Sequence, residues 1–343
     1  MLWLWIVLIV LFSIYFLGAI VFSCLNAKAT VKPKILTIDR EVDINRRKGL
    51  WGDFDSYTKV NYTIEGKDGY VLHATFVDNE EVRGTGKYMI ILHGRTSIRY
   101  GAVKYLTSYI KLGYSCVIYD ARYHGVNVRD VCTLGNYESE DLMKVIEDTR
   151  NRYHDIKVLG LHGESMGSSA ALIATKFNPE IDFIVADCPF TDCYSVIHRN
   201  YRRIHLEYLT PCIRLAAKLI YKVDINDTNA LRAVENNKYP ILFIHGTGDT
   251  FIRPDHSEQL QKAASRNGAY TELVLVEGAG HARSRYVAGF EAYTSYIENF
   301  LENIGIESQE DTLWNQTKNH LGNVKITVLN PQAGQQRAIN SNI

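Results

Sequence analysis

The stretch "IKVLGLHGESMGSSAALIATKF", residues 156–177, sets the tightest limit on what this chain can become. Its first part is a short, nearly unbroken apolar run of the kind buried on both faces of a sheet. Its last part has the small and apolar residues of a packed helix. Between them stands Gly-Glu-Ser-Met-Gly. An ordinary tight turn is one reading of that pentapeptide. The strand before it and the helix after it favour another, in which small flanking residues permit a strained backbone and hold the Ser165 hydroxyl out for attack. A helix amino terminus beneath that hydroxyl also favours developing negative charge.

The same texture recurs along the chain. "KYMIILH", "SCVIYD", "IDFIVAD", "PILFIHG" and "TELVLVEG" are further buried-strand runs. They alternate with helix-like stretches such as "AVKYLTSYIKLG", "ESEDLMKVIEDTRNR", "DHSEQLQKAASRN" and "SRYVAGFEAYTSYIENFLENI". Alternation of this kind predicts an α/β fold, a mostly parallel sheet covered on both faces. Before it, "TKVNYTI" and "YVLHATFV" alternate with period two and read as early antiparallel strands. One interval, residues 190–239, has two helical patterns and no strand, and reads as a helical lid insertion. Ile197, Tyr201, Ile204 and Tyr208 fall on one stripe there, and Lys and Arg exceed Asp and Glu. The lid's charges are either simply solvated or face anionic headgroups or an anionic substrate.

Residues 2–25 carry no charge. At ~1.5 Å per residue they would make about 36 Å of helix, enough for a tilted crossing of a ~30 Å hydrocarbon layer. Trp3 and Trp5 would sit at one interface. A cleaved signal peptide is the rival, with "AKA" at 27–29 imitating a cleavage site, but the run is long and lacks a basic start. Lys28, Lys32, Lys34 and Arg40 follow the run, so positive-inside logic leans the bulk of the chain toward the cytoplasm. Six cysteines without CxxC spacing read as reduced core-filling thiols and agree with that side. The expected organisation is a membrane anchor at 2–25, a linker at 26–56, an α/β domain at 57–305, and a polar tail at 306–343 that adds little to the core.

A serine hydroxyl needs a base to take its proton. His281, in "VEGAGHARS" after the last strand, lies where a loop carries it to the sheet's carboxyl edge. His93, His124 and His245 read as packing or turn residues. The imidazole needs an acid, and Asp249 in "FIHGTGDTFIRP" follows the preceding strand. Asp255 nearby has a capping reason to exist at the start of a helix. The order Ser165, Asp249, His281 is that of α/β-hydrolases and not of the trypsin or subtilisin types. The "LHGR" turn offers the backbone N–H of Arg95 to an oxyanion, and Met166 offers the second. The Arg95 side chain is then free for solvent or substrate.

Together "LHGR", "YDARYHG", "CTLGNYESEDL", "GESMG", "ADCPF", "FIHGTGDTFIRP" and "GAGH" resemble the α/β-hydrolase superfamily from about Tyr57 to Ile304. The nearest resemblance is to membrane-anchored serine hydrolases of the prolyl-oligopeptidase-like and dienelactone-hydrolase-like branch, common in Gram-positive bacteria. It implies acyl transfer to Ser165 followed by hydrolysis. It also implies a structural ion pair between Asp120 and Arg122. Tyr123 stands where relatives often carry glycine, a change expected to reshape the site mouth.

The function expected is hydrolysis of a carboxylic ester or thioester, small or lipid-like. A peptidase is the second reading. Residues 26–56 are too few for the propeller of oligopeptide-cleaving relatives, and a basic lid does not suit an amine-binding aminopeptidase. A catalytically silent scaffold is the third, disfavoured because all three triad residues are present. No cofactor or metal is expected, since no ligand spacing or dinucleotide glycine fingerprint occurs. Lys+Arg and Asp+Glu both number 38, so net charge gives no argument for nucleic acid. Oligomeric state is left open.

Overall fold

The computed structural model describes residues 2–306, 325–329 and 336–340. Its central sheet holds β1 (Thr58–Glu65), β2 (Val71–Asp78), β3 (Lys87–Leu92), β4 (Ser115–Tyr119), β5 (Val158–Glu164), β6 (Phe183–Asp187), β7 (Ile241–Gly246) and β8 (Thr271–Val276). They lie in the order β1-β2-β4-β3-β5-β6-β7-β8. β3 to β8 are parallel, and β1 and β2 are antiparallel to their neighbours. Every strand anticipated from its apolar run is present. The reason is physical: from Met89 to Leu92 and from Ser115 to Tyr119 every side chain is buried, because helices cover both faces.

On one face lie α3 (Val103–Lys111) and α10 (Ser284–Asn303), which bury Leu106, Tyr109, Tyr293 and Phe300. On the other lie α4 (Asn136–Arg152), α5 (Met166–Ala174) and α9 (Asp255–Ala264), which bury Leu142, Val145, Leu172 and Leu260. The chain runs from β3 out to β4 and returns past β3 to β5. Strand order therefore reverses between β3 and β5, and the carboxyl ends of these two strands flank a crevice.

Three segments differ from the sequence reading. The expected linker holds α2 (Ile38–Arg47), capped by Thr37 and docked through Glu41, which accepts from Ser97 Oγ at 3.0 Å. Trp51 and Phe54, just beyond it, join the core. The expected polar tail supplies β9 (Lys325–Leu329), antiparallel to β8, and β10 (Gln336–Asn340), antiparallel to β9. The amino-terminal helix, α1 (Leu2–Val31), is 30 residues long and runs past the apolar stretch. It is long and apolar enough to cross a membrane, and a signal sequence passes the same test. Its last turns do not stand free. Ala27 and Val31 are fully buried in a cluster with Ile213, Ala217, Val196 and Met166.

That cluster includes the lid helices α6 (Cys193–Arg202) and α7 (Thr210–Tyr221), whereas the short α8 (Ala230–Ala233) buries Ala230 in the core shared with α4, α5 and α9. The stripe expected across the lid divides where α6 ends. Ile197 and Tyr201 face inward, whereas Ile204 and Tyr208 are exposed.

Candidate active site

Ser165 is the first residue after β5 and the N-cap of α5. Its φ of 53° and ψ of −111° are unusual for a residue with a side chain, a strain the flanking glycines make possible. A Cβ on Gly163 would lie 2.3 Å from the Ser168 backbone nitrogen. One on Gly167 would lie 2.6 Å from the Leu92 carbonyl oxygen and 2.8 Å from that of His93. The pentapeptide is glycine-bounded because β3, β5 and α5 meet with no room for a methyl group.

His281 follows β8 in a loop, and its Nε2 is 3.0 Å from Ser165 Oγ. Its Nδ1 is 2.6 Å from Asp249 Oδ2, in the loop after β7. A carboxylate only accepts, so Nδ1 carries the proton and Nε2 is left to accept from the serine hydroxyl. Asp249 Oδ1 accepts from the backbone N–H of Phe251 and of Ile252, each at 2.9 Å. Burial alone would raise this carboxyl. Hydrogen bonds from His245 and His281, the His281 charge and the Ile252 N–H outweigh burial and hold it well below the usual carboxylate range. The structure thus brings Ser165, His281 and Asp249 together in one chain of contacts. Asp255 lies apart, paired with Arg199 of the lid at 3.0 and 3.1 Å.

Arg95 and Met166 both line the cavity beside Ser165. Met166 is the first residue of α5, where an N–H has no partner within the helix. The Arg95 N–H takes no partner among the described residues. The Arg95 side chain is half-buried and is held by the end of α1. Its Nη2 donates to the Ala29 carbonyl and, at 3.1 Å, to that of Thr30, the unpaired carbonyls at the end of α1.

The three histidines set aside by the sequence, His93, His124 and His245, are buried. His93 Nδ1–H donates to the Gly94 carbonyl and Nε2 accepts from the Ala121 N–H; burial pushes its pKa down to about 4. His124 Nε2 lies 2.5 Å from the Arg95 carbonyl oxygen. His245, a packing residue by its sequence setting, is wholly buried, yet its Nε2 is also 3.3 Å from Asp249 Oδ2. Nothing in the local sequence distinguishes that contact.

The expected Asp120–Arg122 pair does not form. Asp120 pairs with Arg99 and accepts the Arg99 N–H at 2.8 Å and the Val126 N–H at 3.2 Å. Arg122 instead grips Asp141 with two hydrogen bonds, at 2.8 and 3.0 Å. A planar guanidinium gains more from that two-point fit than from a neighbour two residues away. Tyr123 has a φ of 72°, the backbone form glycine favours. It does not line the cavity; Arg129 lies over its ring.

Beneath Ser165 is a buried polar network invisible to pattern reading. Glu164 accepts from Lys104 and from the Tyr105 hydroxyl. Asp187, at the end of β6, accepts from Tyr293 at 2.9 Å and Ser284 at 3.1 Å. Among the described residues no group of three or more His, Cys, Asp or Glu is placed to hold a metal ion.

The cavity in front of Ser165 has a volume of about 410 Å³. Phe190, Val196, Ile197, Tyr201 and Ile252 give it an apolar lining, and Asn26, Ala29 and Thr30 of α1 form part of its wall.

The prolyl oligopeptidase family profile matches residues 112–306, more than half the chain. The chain belongs to the prolyl oligopeptidase family. It is thus a hydrolase of the α/β-hydrolase superfamily, as the sequence resemblance implied. It is 28% identical over 303 residues to the uncharacterized protein YqkD of Bacillus subtilis (strain 168), covering 84% of this chain and 96% of that one. It is 24% identical over 259 residues to the alpha/beta hydrolase domain-containing protein WAV2 of Arabidopsis thaliana, covering 73% and 80%. Among solved structures, the Pyrococcus furiosus esterase Pf2001 superposes with a TM-score of 0.60 at 24% identity, over 74% of this chain and 96% of that one. The Pyrococcus horikoshii acylaminoacyl peptidase gives a TM-score of 0.57 at 14% identity, over 76% and 44%. Both structural likenesses speak to the fold.

Proposed function

We propose that this member of the family is a membrane-anchored serine hydrolase of carboxylic esters or thioesters, with Ser165 as nucleophile, His281 as base and Asp249 as its orienting acid. The 3.0 Å approach of His281 Nε2 to Ser165 Oγ, with Nδ1 committed to Asp249, carries the reading. Ser165 Oγ attacks the substrate carbonyl carbon and its proton passes to Nε2. The oxyanion rests on the N–H groups of Arg95 and Met166. His281 returns the proton to the leaving oxygen or sulfur, and water activated the same way releases the acid from Ser165.

The cavity favours an ester over a peptide. Glu164 is its one lining carboxylate among the described residues, and Lys104 and Tyr105 already engage it. A peptide's free amine therefore finds no open counter-charge. The cationic residues after the apolar run support a single-pass placement with the hydrolase domain on the cytoplasmic side.

The test is turnover of p-nitrophenyl esters from butyrate to palmitate by the full-length protein, with fluorophosphonate labelling of the active-site serine. Ser165→Ala should abolish both. Turnover or labelling that survives the substitution refutes the assignment, and cleavage of aminoacyl anilides in preference to esters replaces esterase with peptidase.

A further inference from the structure

The lid and the anchor meet in a way that sets the height of the site relative to a bilayer. The roughly 20 residues from Leu2 to Val21 make about 30 Å of helix, one hydrocarbon thickness. Asn26, Ala29 and Thr30, which wall the cavity, then begin about 7 Å beyond the hydrocarbon edge, at headgroup height. Tyr201 of α6 secures the joint. Its hydroxyl donates to Asn26 Oδ1, and its ring meets Phe22 edge-on at 5.6 Å.

The lid reaches deeper still. The Tyr15 and Tyr208 hydroxyls are 2.9 Å apart. Tyr15 is six residues inward of Val21, so Tyr208 lies about 9 Å inside the hydrocarbon edge. Tyr15 stands in the middle of the charge-free run 2–25, so seating that run in a bilayer carries Tyr208 in with it.

α7 has the surface such a depth requires. Ile213 and Ala217 are wholly buried in one cluster with Ala27 and Val31 of α1. Away from them Cys212, Leu215 and Leu219 follow one another at spacings of three and four, and all are exposed, as are Ile204 and Ile220. Arg202, Lys222, Lys28 and Lys32 are exposed at the ends of α6, α7 and α1, while Lys218 pairs with Asp224 and Arg203 donates to the Thr250 carbonyl. An apolar face continuous with a candidate span and rimmed by cations fits an anionic leaflet.

We infer that α1, α6 and α7 form one membrane-seated unit, and that the cavity takes a single-chain acyl ester borne by an anionic leaflet, entering along α1 at headgroup height. The substrate half rests on the ester-hydrolase reading above; the seating half does not.

Two measurements separate these halves. Full-length Cys24→Ser protein carries an environment-sensitive fluorophore on Cys212 and is reconstituted into phosphatidylcholine vesicles with ~30% phosphatidylglycerol. The seating predicts blue-shifted emission quenched by lipids brominated on their acyl chains. Water-like emission quenched by aqueous iodide overturns it. The second measurement uses Leu215→Glu/Leu219→Glu, two exposed positions outside the cavity, with vesicle-borne 4-methylumbelliferyl palmitate and water-soluble p-nitrophenyl butyrate as substrates. Each leucine side chain withdrawn from the leaflet is worth about tenfold, so palmitate turnover should fall about tenfold or more while butyrate turnover stays within about twofold. Unchanged turnover of both overturns the leaflet route. Loss of both marks a damaged fold, and the probe on the unsubstituted stripe then decides. If the unsubstituted enzyme hydrolyses neither ester, the ester reading fails while the probe still judges the seating.

Discussion

Asp249→Asn tests the site's proton logic with almost no change of shape. Asp249 accepts two backbone N–H at 2.9 Å on Oδ1 and His281 at 2.6 Å on Oδ2, with His245 Nε2, which also meets the Ile252 carbonyl at 2.9 Å, standing 3.3 Å from Oδ2. Asparagine can keep its carbonyl on the two backbone N–H groups. Its NH₂ then replaces Oδ2 and confronts His281 Nδ1 with a donor. The imidazole answers by moving its proton to Nε2, where it points at Ser165 Oγ 3.0 Å away and can no longer accept. With the wrong tautomer, kcat should fall about a thousandfold to ten-thousandfold, roughly 4–5.5 kcal/mol of barrier at ~1.36 kcal/mol per decade. The assay is p-nitrophenyl butyrate turnover by the full-length protein. Asp255→Asn serves as control, because its partly exposed pairing with Arg199 predicts a change within about twofold. An Asp249→Asn enzyme that keeps more than about a tenth of the rate would refute the reasoning. A pH signature accompanies it. The folded carboxyl is held low, so its ionised form contributes stability that is present above the unfolded value of about 3.9 and is lost as pH falls through the folded value. The stability gap between the parent and Asp249→Asn, read as urea midpoints, should therefore narrow below about pH 4.

Gly167→Ala drives a methyl group into the carbonyl oxygens of Leu92 and His93 and should cost about 3 kcal/mol or more, seen as a lowered urea midpoint with an unchanged slope. A midpoint equal to the parent's would mean that β3 and α5 are not locked together as described. Arg95→Ala keeps the backbone N–H offered to the oxyanion and removes the side chain that binds the end of α1. It should leave butyrate kcat within about threefold while hastening tryptic cleavage after Lys28 and Lys34. A collapse of kcat with unchanged proteolysis would place the guanidinium on the substrate instead.

Much of this architecture was legible because it is written in local runs. Buried strands such as "KYMIILH" and "PILFIHG" are apolar over their whole length, and glycines 163 and 167 mark a crossing where no side chain fits. Ser165, Asp249 and His281 stood out because each follows a strand. What stayed hidden depends on contacts between distant segments. Arg95 reaches α1 from 65 positions away, and an Asp120–Arg122 pair gives way to partners at Arg99 and Asp141 that no i,i+2 reasoning weighs. His245 resembles any buried histidine until Asp249 folds back beside it. The segment after the apolar run looked like a linker because α2 buries little of itself; its docking depends on Glu41 meeting Ser97.

The way Arg95, Tyr201 and the last turns of α1 interlock bears on how this protein can be handled at the bench. A soluble form cut before Lys34 would look tidy on paper, since it discards only the apolar leader. It would also discard Asn26, Ala29 and Thr30 from the cavity wall and withdraw Ala27 and Val31 from the packing under the lid. The product would lack the α1 side of its cavity, and a substrate profile measured on it would describe the truncation. Detergent or nanodisc preparations of the whole chain are the ones whose selectivity belongs to the protein.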